Sequence, residues 1–475
     1  MTTPKDKSGR PHVVIVAGRG EALRNFVYSD ALPRLAEEAR VTLLSVVDGE
    51  EHVGRFREHL EGVIRLEQHP PPRPAAYVRA LAENAHDRWQ WSGVARNNWE
   101  LRDRRAAERG TLLQRRLVKA VARAFAFRPA LRALTALENA LAWRLRPTRA
   151  FDELFASLRP DLVFNGSQIH GRAAELPLRV ARRMGIRTAV FLFSWDNLTS
   201  QSRIMVPYDD YLVWTEGIRR ELLGLYPHVA PARVHAVGTP QFDFHFKEAF
   251  QLSREELCRR IGLDPARPFV LYTAGISNHF FEEHRHVELV ARLLGEMDLA
   301  TRPQLVVRTY VKGTSPEMRA LAERGLPETV FPPVAWDERF QTPRYEDLAV
   351  YTSLLKHTAL GINAASTVSL ELMVFDKPIV NLDFDPPGSD LPWCLGYGRH
   401  VRFDHFRPVA ESGATMVARS ADDMARILRR GLTDPTADAS ARRRFLGSMF
   451  GDLLDGGAGR RVAERLVDLA RGHGR

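Results

Sequence analysis

The chain is poor in cysteine. Its 475 residues carry only Cys258 and Cys394, too few for a disulfide framework or a cysteine-based zinc site, and this usage suits a reducing cytoplasm. Apolar runs are equally short. No stretch of 18 apolar residues occurs, so no membrane span is expected. The run Val13 to Ala17, which follows the basic opening residues, is too short for the apolar segment of a signal peptide. Histidines at metal-binding spacing are missing as well. His279, His284 and His286 stand five and two residues apart and do not share a helix face as an i, i+4 pair would, so no metal site is expected.

What the chain does contain is enough apolar residues, 44%, for two cores, and a length that calls for two domains. Its net charge of +10 is unevenly placed: residues 71–150 hold 17 Arg and Lys against 6 Asp and Glu, an excess of 11 that leaves the remainder near neutral. The same stretch contains Tyr77, Trp89, Trp91, Trp99, Phe125, Phe127 and Trp143. Arginine interleaved with aromatics suits an anionic membrane surface or nucleic acid. With no compact nucleic-acid motif present, the membrane surface ranks first. Solvated arginines on a helical subdomain are the plain alternative.

Strand and helix periodicities alternate along the chain. A strand over 12–17, a Gly18-Arg-Gly20 turn, a helix near 25–39 and a strand over 41–47 open a doubly wound α/β domain. A proline-rich break at 69–74 leads into a helical insertion over about 76–158. Alternation resumes with strands at 161–164, 188–193, 210–214 and 234–237 and helices at 171–184 and 217–225. Gly238-Thr-Pro240 reads as an interdomain turn. A second series has strands at 269–273, 304–308, 361–363 and 379–382, with helices at 281–294, 421–432 and 458–471. The fold class expected is α/β, with two Rossmann-like domains, 10–245 and 246–475, facing a cleft.

Ligands of open parallel sheets bind beyond the carboxyl ends of strands. There the sequence places Gly18-Arg-Gly20, Asn165 to His170, Ser194 to Thr199, Gly275-Ile-Ser277, Arg308 and Ala364 to Thr367. The run Asn363-Ala-Ala-Ser-Thr-Val-Ser-Leu-Glu371 is the most telling. Small residues at a helix start leave backbone N–H groups and the helix dipole open to an anion. Glu371 lies four residues past Thr367, roughly 6 Å along the axis. A diphosphate at Ser366 and Thr367 with a ribose hydroxyl on Glu371 fits that spacing and points to a nucleotide-diphosphate donor. Helix capping by Ser366 and Thr367 is the alternative.

In order and spacing, Phe164-Asn-Gly-Ser, Ser194-Trp-Asp-Asn, Val213-Trp-Thr-Glu-Gly217, Val237-Gly-Thr-Pro, Tyr272-Thr-Ala-Gly275 and Ser366-Thr to Glu371 resemble the GT-B superfamily. That group includes nucleotide-sugar glycosyltransferases, UDP-N-acetylglucosamine 2-epimerases and CDP-glycerol glycerophosphotransferases. The resemblance covers roughly 10–50 and 155–470. It departs from the epimerases, which carry a Gly-Gly pair and a Gln-Glu-Glu run where this chain has Ala-Ser-Thr-Val-Ser-Leu-Glu. It implies a cytoplasmic glycosyltransferase that moves a sugar from a nucleotide diphosphate to a glycan or lipid-linked hydroxyl in cell-envelope synthesis; the composition of the basic insertion adds peripheral docking on the inner membrane face. No cofactor beyond the nucleotide sugar is implied. Transfer of polyol phosphate from a CDP-alcohol and a non-catalytic lipid- or nucleic-acid-binding scaffold are the rivals.

The resemblance also assigns roles. Asp196 is the first choice for the base, desolvated by Trp195, with an Asx turn or helix cap as the other reading; His170 is the second choice. Ser366, Thr367 and Arg308 face the leaving diphosphate, with Lys312 a weaker candidate. Gly275 and Ser277 permit close backbone approach, Glu371 holds ribose, and Gly18, Arg24 and Asn25 line the acceptor side.

Overall fold

The computed structural model describes residues 9–472 except 147, 169–171, 311–312 and 341. The chain divides into two compact units, residues up to 243 together with 453 onward, and residues 244–452.

The first unit is built on seven parallel strands, β1 (His12–Ala17), β2 (Arg40–Ser45), β3 (Gly62–Arg65), β4 (Leu162–Gln168), β5 (Arg187–Leu192), β6 (Asp210–Val213) and β7 (Val234–Ala236), in the order 3-2-1-4-5-6-7. Val13, Val14, Val16, Leu43, Val163, Phe164, Val190 and Phe191 are buried, as strands covered on both faces require. The order reverses between β1 and β4. The sequence reading missed β3, whose four residues Gly-Val-Ile-Arg are too few to declare a period.

The second unit has six parallel strands. They are β8 (Phe269–Thr273), β9 (Gln304–Arg308), β10 (Thr329–Val330), β13 (Leu360–Asn363), β14 (Ile379–Leu382) and β15 (Met416–Ala418), ordered 10-9-8-13-14-15. A separate two-stranded antiparallel pair comprises β11 (Trp336–Asp337) and β12 (Thr342–Pro343). Here the reversal lies between β8 and β13. Both units are Rossmann-like.

The division differs from the expected one at the carboxyl end. The last helix, Ala458–Ala470, belongs to the first unit. Asp243 accepts from the Ala458 and Gly459 backbone N–H groups at 3.1 and 2.6 Å, and Arg461 Nε donates to the Val237 carbonyl at 3.0 Å. Gly238 makes this return possible. Its φ is +82°, and a Cβ there would stand 2.8 Å from the Leu453 carbonyl oxygen and 2.9 Å from the Ala458 Cβ. The segment read as an interdomain turn is therefore the socket of the final helix, a tertiary role that local pattern does not encode.

The insertion is helical as expected, with five helices, Arg73–Gln90, Gly93–Glu108, Leu112–Ala124, Arg128–Arg144 and Arg149–Leu158. Its tryptophans do not form an outward surface. Trp99 is buried in a core with Ala82, Ala85, Ala122, Leu131, Leu134 and Met205. Arg115, Lys119 and Arg123 lie 5.1, 5.4 and 5.5 Å from the Trp99 ring centre, and Arg88 lies 4.6 Å from that of Trp91. Much of the Arg/Trp interleaving is spent on internal cation–π contacts.

A buried ionic quartet fastens the insertion to the sheet. Arg79 donates to both Glu175 oxygens at 2.9 and 2.6 Å and to Glu138 at 3.1 Å, while Arg179 donates to Glu138 at 2.8 Å. Arg79 and Glu138 come from the insertion, and Glu175 and Arg179 from the helix Glu175–Arg183 between β4 and β5. Removing one partner strands a charge out of water. Glu175→Ala should therefore cost about 3–5 kcal/mol in urea-induced unfolding, whereas Glu153→Ala, in an exposed i, i+4 pair with Arg149, should cost under ~1 kcal/mol.

Candidate functional site

Strand register in the second unit sets the site. Thr273 of β8 pairs with Arg308 of β9 on one side and Asn363 of β13 on the other, and Asn363 pairs with Asn381 of β14. One polar row therefore crosses four strands near their carboxyl ends, flanking the point where strand order reverses.

Arg308 is buried at 6% exposure. Its Nη2 donates to Asp347 Oδ2 at 2.5 Å, and its guanidinium lies 5.9 Å from the Tyr351 ring centre. Asp347 is held by three donors, since Oδ2 also accepts from Trp336 Nε1 at 3.1 Å and Oδ1 from the Ala335 N–H at 3.2 Å. Arg308 Nη1 has no hydrogen-bond partner among the described residues. A buried cationic N–H left unpaired is costly, and an anionic oxygen would satisfy it.

The helix Tyr345–His357 organises the rest. Asp347 and Tyr351 stand at i and i+4, on one face. The Tyr351 hydroxyl donates to Glu371 Oε2 at 2.6 Å, and Oε1 of the same carboxylate meets His245 Nε2 at 3.2 Å. His245 Nδ1 is 3.4 Å from Thr352 Oγ1. Glu371 is thus buried and fixed from two sides. A carboxylate has about four acceptor positions, so roughly two are left for hydroxyls of a ligand. Asp347, Tyr351 and His245 were not found by sequence reasoning; the i, i+4 spacing in Tyr345-Glu-Asp-Leu-Ala-Val-Tyr351 was the available signal for the first two.

Ser366 and Thr367 are half-buried just before the helix Val368–Val374. Ser366 Oγ accepts from the Val368 N–H at 3.3 Å, and its own N–H donates to Asn363 Oδ1 at 3.0 Å. The capping reading of Ser366 is what the geometry displays. Ala365, immediately before it, sits at φ +55°, a left-handed conformation that costs a non-glycine residue about 1–2 kcal/mol.

Gly275 and Ser277 follow β8, but their backbone N–H groups are taken. Gly275 N–H donates to Glu283 at 3.0 and 3.1 Å, and Ser277 N–H to the Gly313 carbonyl at 2.9 Å. A Cβ at Gly275 would lie 2.0 Å from the Phe280 ring, so this glycine makes room for an aromatic side chain. Lys312 lies outside the described residues.

In the first unit Asp196 is half-buried and precedes the short helix Asn197–Ser200. Its carboxylate accepts from Ser200 Oγ at 2.6 Å and its carbonyl from the Thr199 and Ser200 N–H groups at 3.0 and 2.8 Å; the carboxylate makes no capping bond to the helix backbone. The insertion clamps this loop. Gln90 Nε2 donates to the Leu198 carbonyl at 2.8 Å and Ser92 Oγ to that of Thr199 at 3.1 Å. Arg24 lies 5.9 Å from the Phe193 ring centre and donates to Gln241 at 2.8 Å and to Asn25 at 3.0 Å. Gly18 and Asn25 are buried beside it in sequence. His170 lies outside the described residues. His279 is exposed while His286 is wholly buried, so the three histidines considered for a metal occupy different environments. Burial drives the His286 pKa down to about 3.

Glu283, within the second unit, is the carboxyl group beneath the turn after β8. Burial raises its pKa to about 7, against the opposing hydrogen bonds from Gly275 and Tyr272. Because the folded-state pKa lies above the ordinary value of 4.5, the folded form holds the proton more tightly. Stability is then full below about pH 4.5 and falls as pH rises toward 7. Glu283→Gln should remove that decline, worth roughly 3 kcal/mol across the window, in urea denaturation curves collected at successive pH values.

No protein-family model matches the sequence, and no curated protein matches it in a sequence search. Solved structures do match the fold. A UDP-GlcNAc 2-epimerase from Neisseria meningitidis, bound to UDP-GlcNAc, superposes with TM-score 0.55 at 10% identity, over 96% of this chain and 100% of that one. The S. aureus MnaA–UDP co-structure gives 0.54 at 13%, over 98% and 97%. The UDP-GlcNAc 2-epimerase of Methanocaldococcus jannaschii gives 0.52 at 10%, over 96% and 99%. With two Rossmann-like parallel sheets in one polypeptide and neighbours covering nearly its full length, the chain has the GT-B fold.

Proposed function

We propose that this protein is a nucleotide-sugar enzyme that holds a nucleoside diphosphate on its second unit and transfers the attached sugar to a hydroxyl acceptor. The observation that carries the reading is a buried, half-satisfied Arg308 at the end of β9 together with a fixed Glu371 on the helix after β13, the two strands on either side of β8. A guanidinium matches phosphate oxygens, and a carboxylate matches a ribose diol. The fold neighbours solved with UDP-GlcNAc or UDP support the ligand class.

On this reading the sugar C1–O bond to the diphosphate breaks, Arg308 meets the charge that develops on the departing oxygen, and a new bond forms from C1 to the acceptor oxygen. The acceptor proton passes to Asp196. Ser366 and Thr367 add hydroxyls near the phosphates, and Gly18, Arg24 and Asn25 belong to the acceptor side. The nucleotide sugar is a co-substrate, and no resident metal or cofactor is called on. A glycan or lipid-linked acceptor of the cell envelope suits this chemistry.

A second reading, epimerisation at the sugar C2, has one observation in its favour: the three fold neighbours above include two named as 2-epimerases. The two readings part on acceptor dependence. Incubation with UDP-GlcNAc alone should leave the sugar configuration unchanged; conversion to the 2-epimer without an acceptor would replace transfer by epimerisation.

Ligand-induced thermal stabilisation tests the donor site. At 100 times its dissociation constant, the cognate nucleoside diphosphate should stabilise the protein by about 2.7 kcal/mol. Arg308→Ala and Glu371→Ala should each weaken that ligand at least ~10-fold, in line with losing a charged or bidentate contact worth over about 1.4 kcal/mol. A response to CDP alone would favour polyol-phosphate transfer. No response to UDP, GDP, CDP, dTDP or ADP, with or without magnesium, would remove the donor site.

A further inference from the structure

The exposed large apolar side chains of this protein are concentrated in one place. Of the eleven among the described residues, eight lie between Tyr77 and Leu145, within the insertion. The densest group is on the helix Leu112–Ala124 and the turn after it. Leu113 is 81% exposed, Leu117 65%, Phe127 51%, Leu112 45% and Phe125 38%. Leu113, Leu117, Ala120 and Ala124 are all exposed and repeat at i, i+4, i+7 and i+11, which is one continuous stripe of an α-helix. The opposite side, carrying Arg115 and Ala122, is buried on the insertion. An amphipathic helix with its apolar face turned to water is not explained by the packing of this unit.

Charge identifies the occupant. From residue 109 to 137 the chain has seven Arg and Lys and no Asp or Glu. Arg115 and Lys119 share the one carboxylate of Asp103 at 2.8 and 2.5 Å. Arg109, Arg116 and Arg132 are exposed and have no ion pair among the described residues. A leucine stripe with unneutralised Arg116 on the same helix and Arg109 just before it is complementary to an anionic bilayer, where the apolar side chains enter the acyl boundary and the guanidinium groups meet phosphates. A second copy would bring two cationic faces together. A single-stranded nucleic acid would stack on aromatic platforms along its groove, whereas the centre of this face, Leu112, Leu113 and Leu117, is aliphatic.

We propose that the exposed face of the helix Leu112–Ala124, with Phe125 and Phe127, is the docking surface of this protein on anionic lipid membranes. It refines the membrane expectation drawn from composition: aliphatic residues and peripheral arginines form the contact, while the tryptophans hold the insertion together. The inference rests on the first unit alone and is independent of the donor-site reading.

Co-sedimentation with lipid vesicles tests it. The full chain should bind vesicles of phosphatidylcholine with about 30% phosphatidylglycerol and bind pure phosphatidylcholine far more weakly, with high salt reducing the anionic binding. Leu113→Ser with Leu117→Ser should lower partitioning ~100-fold, about tenfold per leucine removed from the acyl boundary. Arg116→Gln should lower it ~5-fold on anionic vesicles only. Both leucines are exposed, so the melting temperature and nucleotide-induced stabilisation should not move, and single Leu113→Ser gives the same direction with less disturbance. Wild-type partitioning by the double variant would overturn the proposal, as would absence of wild-type binding. A dimer in sedimentation velocity that the leucine changes dissolve would assign the face to a second copy. Tight RNA-oligonucleotide binding lost with Arg116→Gln but kept by the leucine variant would assign it to nucleic acid.

Discussion

Parallel strands covered on both faces can carry polar side chains at little cost only where the sheet ends. That constraint governs the second unit. Val270, Leu271, Leu305, Val306, Ile362 and Val380 fill the strand interiors and are buried, and the polar row Arg308, Thr273, Asn363 and Asn381 falls at the carboxyl edge. A one-residue slip in any of these strands would move every side chain to the other face of the sheet and take its polar residue out of the row. The packing that holds the register therefore also holds the row, and Arg308 reaches its place without any local signal of its own.

The row becomes a site through one helix. Tyr345–His357 presents Asp347 to the end of β9 and Tyr351 to the helix after β13. Asp347 in its first turn is engaged by a guanidinium, an indole N–H and a backbone N–H, which take most of its acceptor capacity. Glu371 differs, because its two internal donors occupy only part of its acceptor capacity. The two carboxylates thus divide the work, one orienting the arginine and the other available to a diol. In the first unit a comparable division holds: the quartet of Arg79, Glu138, Glu175 and Arg179 fastens the insertion, and Gln90 and Ser92 of that insertion then fix the loop that carries Asp196.

The strands of both sheets were largely legible because buried parallel strands are short apolar runs, and β8 and β9 emerge with the boundaries read from the chain. Residues following strands were legible for the same reason, which is how Arg308, Ser366 and Glu371 were reached. The partners that define them were not. His245 and Tyr351 meet Glu371 from sequence separations of 126 and 20 residues, and nothing periodic marks such contacts. Gly275 was misread because a glycine after a strand signals close approach without saying what approaches; here it is the Phe280 ring and the Glu283 carboxyl group. The aromatic-rich basic insertion was correctly read as helical, but composition does not tell which face of a helix is turned inward, and most of its tryptophan surface is.

The central claim is that Arg308 and Glu371 together hold a nucleoside diphosphate. A crystal structure of the protein with the nucleoside diphosphate that stabilises it most is the direct test. The account predicts a phosphate oxygen within hydrogen-bond distance of Arg308 Nη1 and a ribose hydroxyl on the Glu371 carboxylate, with the bonds from Tyr351 and His245 retained. A nucleotide bound away from both side chains, or one that leaves Arg308 Nη1 unpaired, would contradict it.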